Sequence, residues 1–184
     1  MSIVIQDNFL DKIYFQSLQN EVLSYEFPWH MSVINQQFLD KNTPSYNQMT
    51  HSVLRTLNLD KSDFYQKLGA LFDVLELLVP IRIKLNLQIR QEKIIEHGMH
   101  IDIVDAPENA LTSILYMNTN NGYTKFETGE KVESVENRLV TFPNSLKHTG
   151  STNNCEVPYR CVMNIDWIPK IDIVTKGYRI LQHQ

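Results

Sequence analysis

Cysteine is scarce: only Cys155 and Cys161 occur among the 184 residues, too few for a disulfide scaffold. No Asn-x-Ser/Thr acceptor is present either, so a reducing, cytoplasmic setting is expected. Basic excess is also missing. With a formal net charge of −4 the chain lacks the positive field that gives non-specific phosphate affinity, and no nucleic-acid partner is expected. Six Gly and seven Pro exclude a collagenous or low-complexity chain. Long apolar runs are absent, the most apolar stretch, Ala70 to Ile81, being broken by Asp73, Glu76 and Pro80. The start, Met1 to Asp7, has neither a basic region nor an extended apolar one, so no signal peptide or membrane span is expected.

What is present suits a folded chain, with 42% hydrophobic and 21% charged residues. The length favours one domain over 1–184: a helical buttress and loop region to residue 80, a strand-rich core over 81–168, and a C-terminal extension over 169–184. Asp7 or Asn8 can cap a helix over 8–24, in which Leu10, Tyr14, Leu18 and Val22 recur every four positions and Ile13 widens the stripe. A second helix begins near Ser62-Asp63 and runs through Phe64, Leu68, Leu71, Phe72, Leu75 and Leu78 until Pro80 stops it. Between them, Asn35 to Thr50 is polar and reads as a loop.

After Pro80 the period becomes two, with Ile81, Ile83, Leu85, Leu87 and Ile89 against Arg82, Lys84, Asn86, Gln88 and Arg90. Further strand-like runs follow at Met99–Val104, Leu111–Asn118, Tyr123–Glu127, Lys131–Glu136, Arg138–Phe142, Ser145–Thr149 and Tyr159–Ile168. Many short strands without intervening helices indicate an antiparallel sandwich or barrel, and the helices that precede them make the chain α+β, mainly β.

The familiar phosphate-loop, dinucleotide, nucleophile-elbow, zincin and Cys-x-x-Cys signatures are all missing. What remains is a His/carboxylate pattern. In a strand, residues two apart share a face, so His100 and Asp102 would project together as adjacent metal ligands. A half-exposed polar strand face produces the same spacing, and a third ligand is needed. His148, 46 residues on, supplies a candidate, and two His with one carboxylate make the facial triad of non-haem Fe(II) oxygenases. Arg160 follows twelve residues later, where a fixed guanidinium can hold a carboxylate through two parallel hydrogen bonds.

The ordered series His100-x-Asp102, His148, Arg160 resembles the Fe(II)- and 2-oxoglutarate-dependent oxygenases, and among them the prolyl 4-hydroxylase-like branch. Ile114-Leu115-Tyr116-Met117-Asn118 is similar to the family's strand ending in Tyr-Leu-Asn, and Gly122-Tyr123-Thr124-Lys125-Phe126 to its Gly-Gly-x-Thr-x-Phe. Asn137 to Pro143 fits the strand and turn before the distal His, so the likeness covers about residues 81–168. It implies a double-stranded β-helix, or jelly roll, with N-terminal helices packed on one sheet. It further implies Fe(II) on His100, Asp102 and His148, with O₂ and 2-oxoglutarate as cosubstrates. The activity implied is hydroxylation of an unactivated C–H bond in a small-molecule or peptidyl substrate, with 2-oxoglutarate decarboxylated to succinate. Arg160 and Tyr116 would hold the distal carboxylate of 2-oxoglutarate, with Thr112 and Thr124 at neighbouring pocket positions.

Other polar residues receive plainer readings. Asn86 either stands in the site where the family often has a tyrosine upstream of His-x-Asp, or faces solvent with Lys84 and Gln88, the reading favoured here; His97 is expected on the surface, while His30, His51 and His183 have no partner at useful spacing. Cys161, Met163 and Trp167 read as core. Two other classes compete with the oxygenase. A cupin-like metal enzyme that does not use 2-oxoglutarate leaves Arg160 without a task, and a non-catalytic β-barrel binding module has no need of all four residues.

Overall fold

In a computed structural model of the chain, residues 3–34, 47–55 and 60–170 are described here. Among these described residues, ten antiparallel strands form two sheets. The larger has seven strands: β1 (Val4–Gln6), β2 (His30–Val33), β3 (Asn47–Leu54), β4 (Leu77–Ile89), β5 (Leu111–Tyr116), β8 (Leu139–Pro143) and β10 (Tyr159–Pro169), in the order β1-β8-β5-β10-β4-β3-β2. The smaller contains β6 (Tyr123–Phe126), β7 (Lys131–Glu133) and β9 (His148–Gly150), in the order β7-β6-β9. Single bridges from Glu96 to Ser151 and from His100 to His148 continue the small sheet beyond β9 as an irregular fourth arm. This mainly β architecture, with N-terminal helices against the large sheet, is that of a double-stranded β-helix, as expected.

Strand alternation gives the large sheet two different faces. Ile83 and Leu85 of β4, Leu115 of β5 and Cys161, Met163, Ile165 and Trp167 of β10 pack against the helices, burying Phe15, Leu18, Val22, Phe64, Leu68 and Leu71. The opposite face, with Ile114, Tyr116, Val140, Phe142 and Val162, meets Phe126 and Val132 of the small sheet. The inner ends of the even-numbered positions on β4 and β10 therefore line the barrel interior. Arg82, Lys84, Asn86 and Gln88 face a cavity, contrary to the solvent-facing position expected for Asn86 and its neighbours. The apolar face must be covered, and the helices cover it, which turns the polar face toward the cavity.

The helices differ from their sequence-based bounds for local reasons. Asn8 has φ of 51° and cannot open a helix. Helix α1 spans Lys12–Val22, and Asp11 caps it by accepting from the Ile13 and Tyr14 amides at 2.9 and 3.1 Å. Ile13 is exposed, so the buried stripe is Phe15, Leu18 and Val22. Truncating Leu18 to Ala would cost about 2–5 kcal/mol. The second helix is a 3-10 segment, Asp63–Leu68, followed by the single short α2, Gly69–Val74. The break comes at Glu76, in the left-handed region with φ of 53°, so Leu78 and Pro80 belong to β4. Pro80 is tolerated beside the Asp166/Trp167 irregularity, beyond the reach of β3 pairing.

The loop expected over Asn35–Thr50 lies largely outside the described residues, but its end, 47–50, is strand in β3. The extension over 169–184 lies outside them beyond Lys170. Met99–Val104, expected as a strand, is irregular apart from the single His100 bridge. No described helix is long and apolar enough to cross a membrane.

Candidate metal and anion site

His148 opens β9, and its backbone pairs reciprocally with that of His100 at 2.9 Å in each direction. This bridge, rather than a regular strand, brings His100 and Asp102 over the large sheet. Ligand atoms of His100, Asp102 and His148 all lie within 4.8 Å of one another. His100 Nε2 is 3.6 Å from Asp102 Oδ1, and His148 Nε2 is 3.7 Å from Asp102 Oδ2. Each imidazole turns its Nδ1 to a backbone carbonyl, Gly98 at 3.0 Å and Leu146 at 3.4 Å, and its Nε2 toward the Asp102 carboxylate. The donor chemistry, two nitrogens and one carboxylate with space on the cavity side, fits a divalent transition metal.

Asp102 is held from beneath. Arg82 donates from Nη2 to Asp102 Oδ1 and from Nε to Asp166 Oδ2, both at 2.8 Å. Asn164 donates to Asp102 Oδ2 at 3.2 Å, and Thr112 donates to Asp166 Oδ1 at 2.8 Å. Burial opposes the Asp102 charge, but Arg82 and both histidines outweigh it and keep the carboxyl well below its usual range. Asp166 is pushed up by burial and by the negative charge of Asp102. Burial lowers His148 to about 4 despite the nearby carboxylate, so the ring is neutral at pH 7 and able to ligate.

At the other end of the cavity, Arg160 is 3% exposed and has no acidic partner among the described residues. Its guanidinium donates to Ser134 Oγ at 2.8 Å, Thr124 Oγ1 at 3.1 Å and Gln88 Oε1 at 3.4 Å. Tyr116 lies beneath it, with the guanidinium carbon 5.5 Å from the ring centre and the hydroxyl donating to Thr124 Oγ1 at 2.8 Å. Burial raises the Tyr116 phenol although Arg160 lowers it, so it stays a protonated donor at pH 7. Gly122 makes room for this arrangement, because a Cβ there would meet Arg160 Cδ at 2.6 Å.

The triad, Arg160 and Thr124 line one cavity of about 180 Å³. Thr112 is not among its lining residues; its hydroxyl serves Asp166 instead. His97, expected on the surface, is 9% exposed and lines the cavity. Burial, with Arg160 and His100 nearby, lowers its pKa to about 4. His51 keeps its plain reading: its ring nitrogens meet the Pro28 carbonyl at 3.0 Å and Ser62 Oγ at 2.9 Å. Sequence reasoning missed Arg82 and Asp166. Their signal was the even-numbered polar series on β4 and β10, which becomes informative once the outer face is known to be covered.

No family model matches the chain. No curated protein matches it either. Solved structures do. An oxidoreductase of the 2OG-Fe(II) oxygenase family from Burkholderia pseudomallei is 13% identical, with 90% of this chain and 84% of that one covered and a TM-score of 0.62. A Pseudomonas putida prolyl-4-hydroxylase is 14% identical, with 91% and 92% covered and a TM-score of 0.62. The non-haem alpha-ketoglutarate-dependent epimerase SnoN from nogalamycin biosynthesis is 13% identical, with 90% and 78% covered and a TM-score of 0.60. One fold thus carries both a hydroxylase and an epimerase, and what this chain shares with them is that fold.

Proposed function

We propose that the protein is an Fe(II)- and 2-oxoglutarate-dependent oxygenase. The observation that carries this reading is the buried Arg160, without an acidic partner among the described residues, in the same cavity as the His100, Asp102 and His148 cluster. An isolated buried cation is costly, and an anionic ligand would offset that cost. A dicarboxylate can place one end on Arg160 while its other end reaches the metal position.

In this reading His100, Asp102 and His148 hold the metal, and Arg160 receives the distal carboxylate. Thr124 lines the cavity beside the guanidinium, and Tyr116, outside the lining, supports both from beneath through its ring and its hydroxyl bond to Thr124. Fe(II) bound there would supply activation of O₂ coupled to decarboxylation of 2-oxoglutarate to succinate. Arg82 and Asn164 fix the orientation of Asp102, and the apolar Ile114 and Val162 limit water beneath the reacting region. Hydroxylation of an unactivated C–H bond, as in the prolyl-hydroxylase-like branch, is the reaction we favour. The free thiols Cys155 and Cys161 suit a reducing compartment such as the cytoplasm.

The test is formation of succinate from 2-oxoglutarate by the purified protein. Succinate formation that requires both Fe(II) and O₂ and is lost in Asp102→Ala is expected. Turnover no faster than free Fe(II), or unchanged in Asp102→Ala, would refute the reading.

A further inference from the structure

Among the described residues, the cavity contains a second cation without an ion pair. Lys84 lies on the interior face of β4 between Arg82 and Asn86, opposite Ser52 of β3 and Asn164 of β10. Arg82 is satisfied by two carboxylates, whereas Lys84 makes no ion pair and donates no hydrogen bond among the described residues. Beside it, two amides each bury a carbonyl oxygen that has no hydrogen-bond partner, Asn86 Oδ1 and Asn164 Oδ1. The Asn164 amide is oriented by its donation to Asp102 Oδ2, so its free carbonyl oxygen is not an arbitrary choice of flip.

A buried acceptor left unsatisfied forfeits the hydrogen bonds it would make in water, and groups that stay buried in this state are commonly completed by a ligand or water. One cation flanked by two acceptors asks for a molecule with an anionic group and N–H donors. The N–H demand cannot be met by 2-oxoglutarate, and its distal carboxylate is assigned to Arg160, whose register partner Gln88 lies four residues along β4 from Lys84. The cavity, about 180 Å³, is also smaller than the roughly 300–1,000 Å³ of ordinary ligand pockets, which favours a compact molecule.

We infer that Lys84, Asn86 and Asn164 bind the primary substrate, a small molecule that carries a carboxylate and an amine, as a free amino acid does. The inference rests on the oxygenase reading for the word substrate, but the binding site stands on its own geometry. Lys84 holds the carboxylate, and the two amide oxygens accept from the ammonium group. Asn164, contacting both this molecule and Asp102, ties the bound amine to the orientation of a metal ligand.

The experiment screens the free L-amino acids against the full chain, loaded with Zn(II) as a diamagnetic metal and with 2-oxoglutarate, by saturation-transfer NMR. At least one amino acid should bind, with its carboxamide and its 2-hydroxy-acid counterpart each at least tenfold weaker. Lys84→Met should weaken that amino acid at least tenfold while shifting the 2-oxoglutarate midpoint less than twofold. Lys84→Arg should retain binding, and if Lys84→Met does not fold, the acid-against-amide comparison in the unaltered protein decides the matter. Absence of binding by any free amino acid, equal binding of acid and amide, or binding only of residues within peptides would overturn the inference. Equal loss of 2-oxoglutarate in Lys84→Met would also overturn it, by assigning Lys84 to the cosubstrate. Amino-acid binding that depends on Lys84 in a protein that takes no 2-oxoglutarate would uphold the site and refute only the oxygenase reading.

Discussion

Replacing Arg160 with Met should leave the free protein's stability nearly unchanged and weaken its complex. In the free protein the guanidinium is 3% exposed and meets only the neutral acceptors Ser134, Thr124 and Gln88. Removing it relieves the desolvation of a charge, a penalty of several kcal/mol, against about 1–3 kcal/mol for each neutral group that loses its partner. The two offset each other, and the free protein should melt near the unaltered temperature. Removing one partner of a buried salt bridge would instead cost about 3–5 kcal/mol.

The complex should lose the interaction outright. Truncating one side of a buried, hydrogen-bonded charge pair costs about 2–5 kcal/mol, or roughly 30- to 4,000-fold in affinity for 2-oxoglutarate. At one hundred times its dissociation constant the cosubstrate stabilises the folded state by about 2.7 kcal/mol, which for a chain of this size raises Tm by about 5–11 °C. Anaerobic thermal unfolding with Fe(II), with and without 2-oxoglutarate, reads both effects. The unaltered protein should show that rise, and Arg160→Met at the same concentration should show no more than about a third of it. A free-protein Tm that collapses in the variant, or a rise of undiminished size, would refute the assignment of Arg160 as an anion receptor.

Three further outcomes follow from the site geometry. His148→Ala should abolish tight Fe(II) binding in an anaerobic titration while His97→Ala retains it, and equal losses would mean that the wrong histidine has been chosen. Arg82→Met leaves Asp102 and Asp166 buried at 6% and 1% side-chain exposure without their shared cation; a loss of about 3–5 kcal/mol, or about 6–20 °C in Tm, is expected, and a change below about 1 °C would show that Arg82 does not hold them. Glu96 is lowered from 4.5 to about 2 by hydrogen bonds from Lys125 and Tyr123 that tie the approach to His100 onto β6. Its depressed pKa means the stabilisation is complete above about 4.5 and lost as pH falls through about 2. Because its side chain is 33% exposed, Glu96→Gln should lower stability by no more than about 1 kcal/mol at pH 7, with the difference vanishing near pH 2. A pH-independent difference in Tm would contradict this.

The strand-rich half was legible because period-two alternation survives in short strands, and the order His100, Asp102, His148 and Arg160 could be read against a known pattern. What alternation cannot say is which face is covered. Arg82, Lys84, Asn86 and Gln88 look like a solvated face until the helices are seen to occupy the apolar side, which turns the polar side inward. Asp166 was hidden for the same reason, and Thr112 follows it away from the cavity. His100 and Asp102 meet on an irregular arm pinned by one backbone bridge to His148, a long-range contact with no local signature. The helix ends were misread because left-handed Asn8 and Glu76 are set by tertiary context, whereas Pro80 was given a stop that an edge position does not require.

In the proposed reading one cavity binds both a metal on the His100, Asp102 and His148 cluster and 2-oxoglutarate against Arg160. An anaerobic titration of the full chain with Fe(II) and then 2-oxoglutarate tests it directly, because chelation of the metal by the keto acid gives a weak visible charge-transfer band. A band that saturates at one metal and one 2-oxoglutarate per chain is expected, with a midpoint at least about 30-fold higher in Arg160→Met. A protein that binds Fe(II) but develops no band, or develops it equally without Arg160, would refute the shared site.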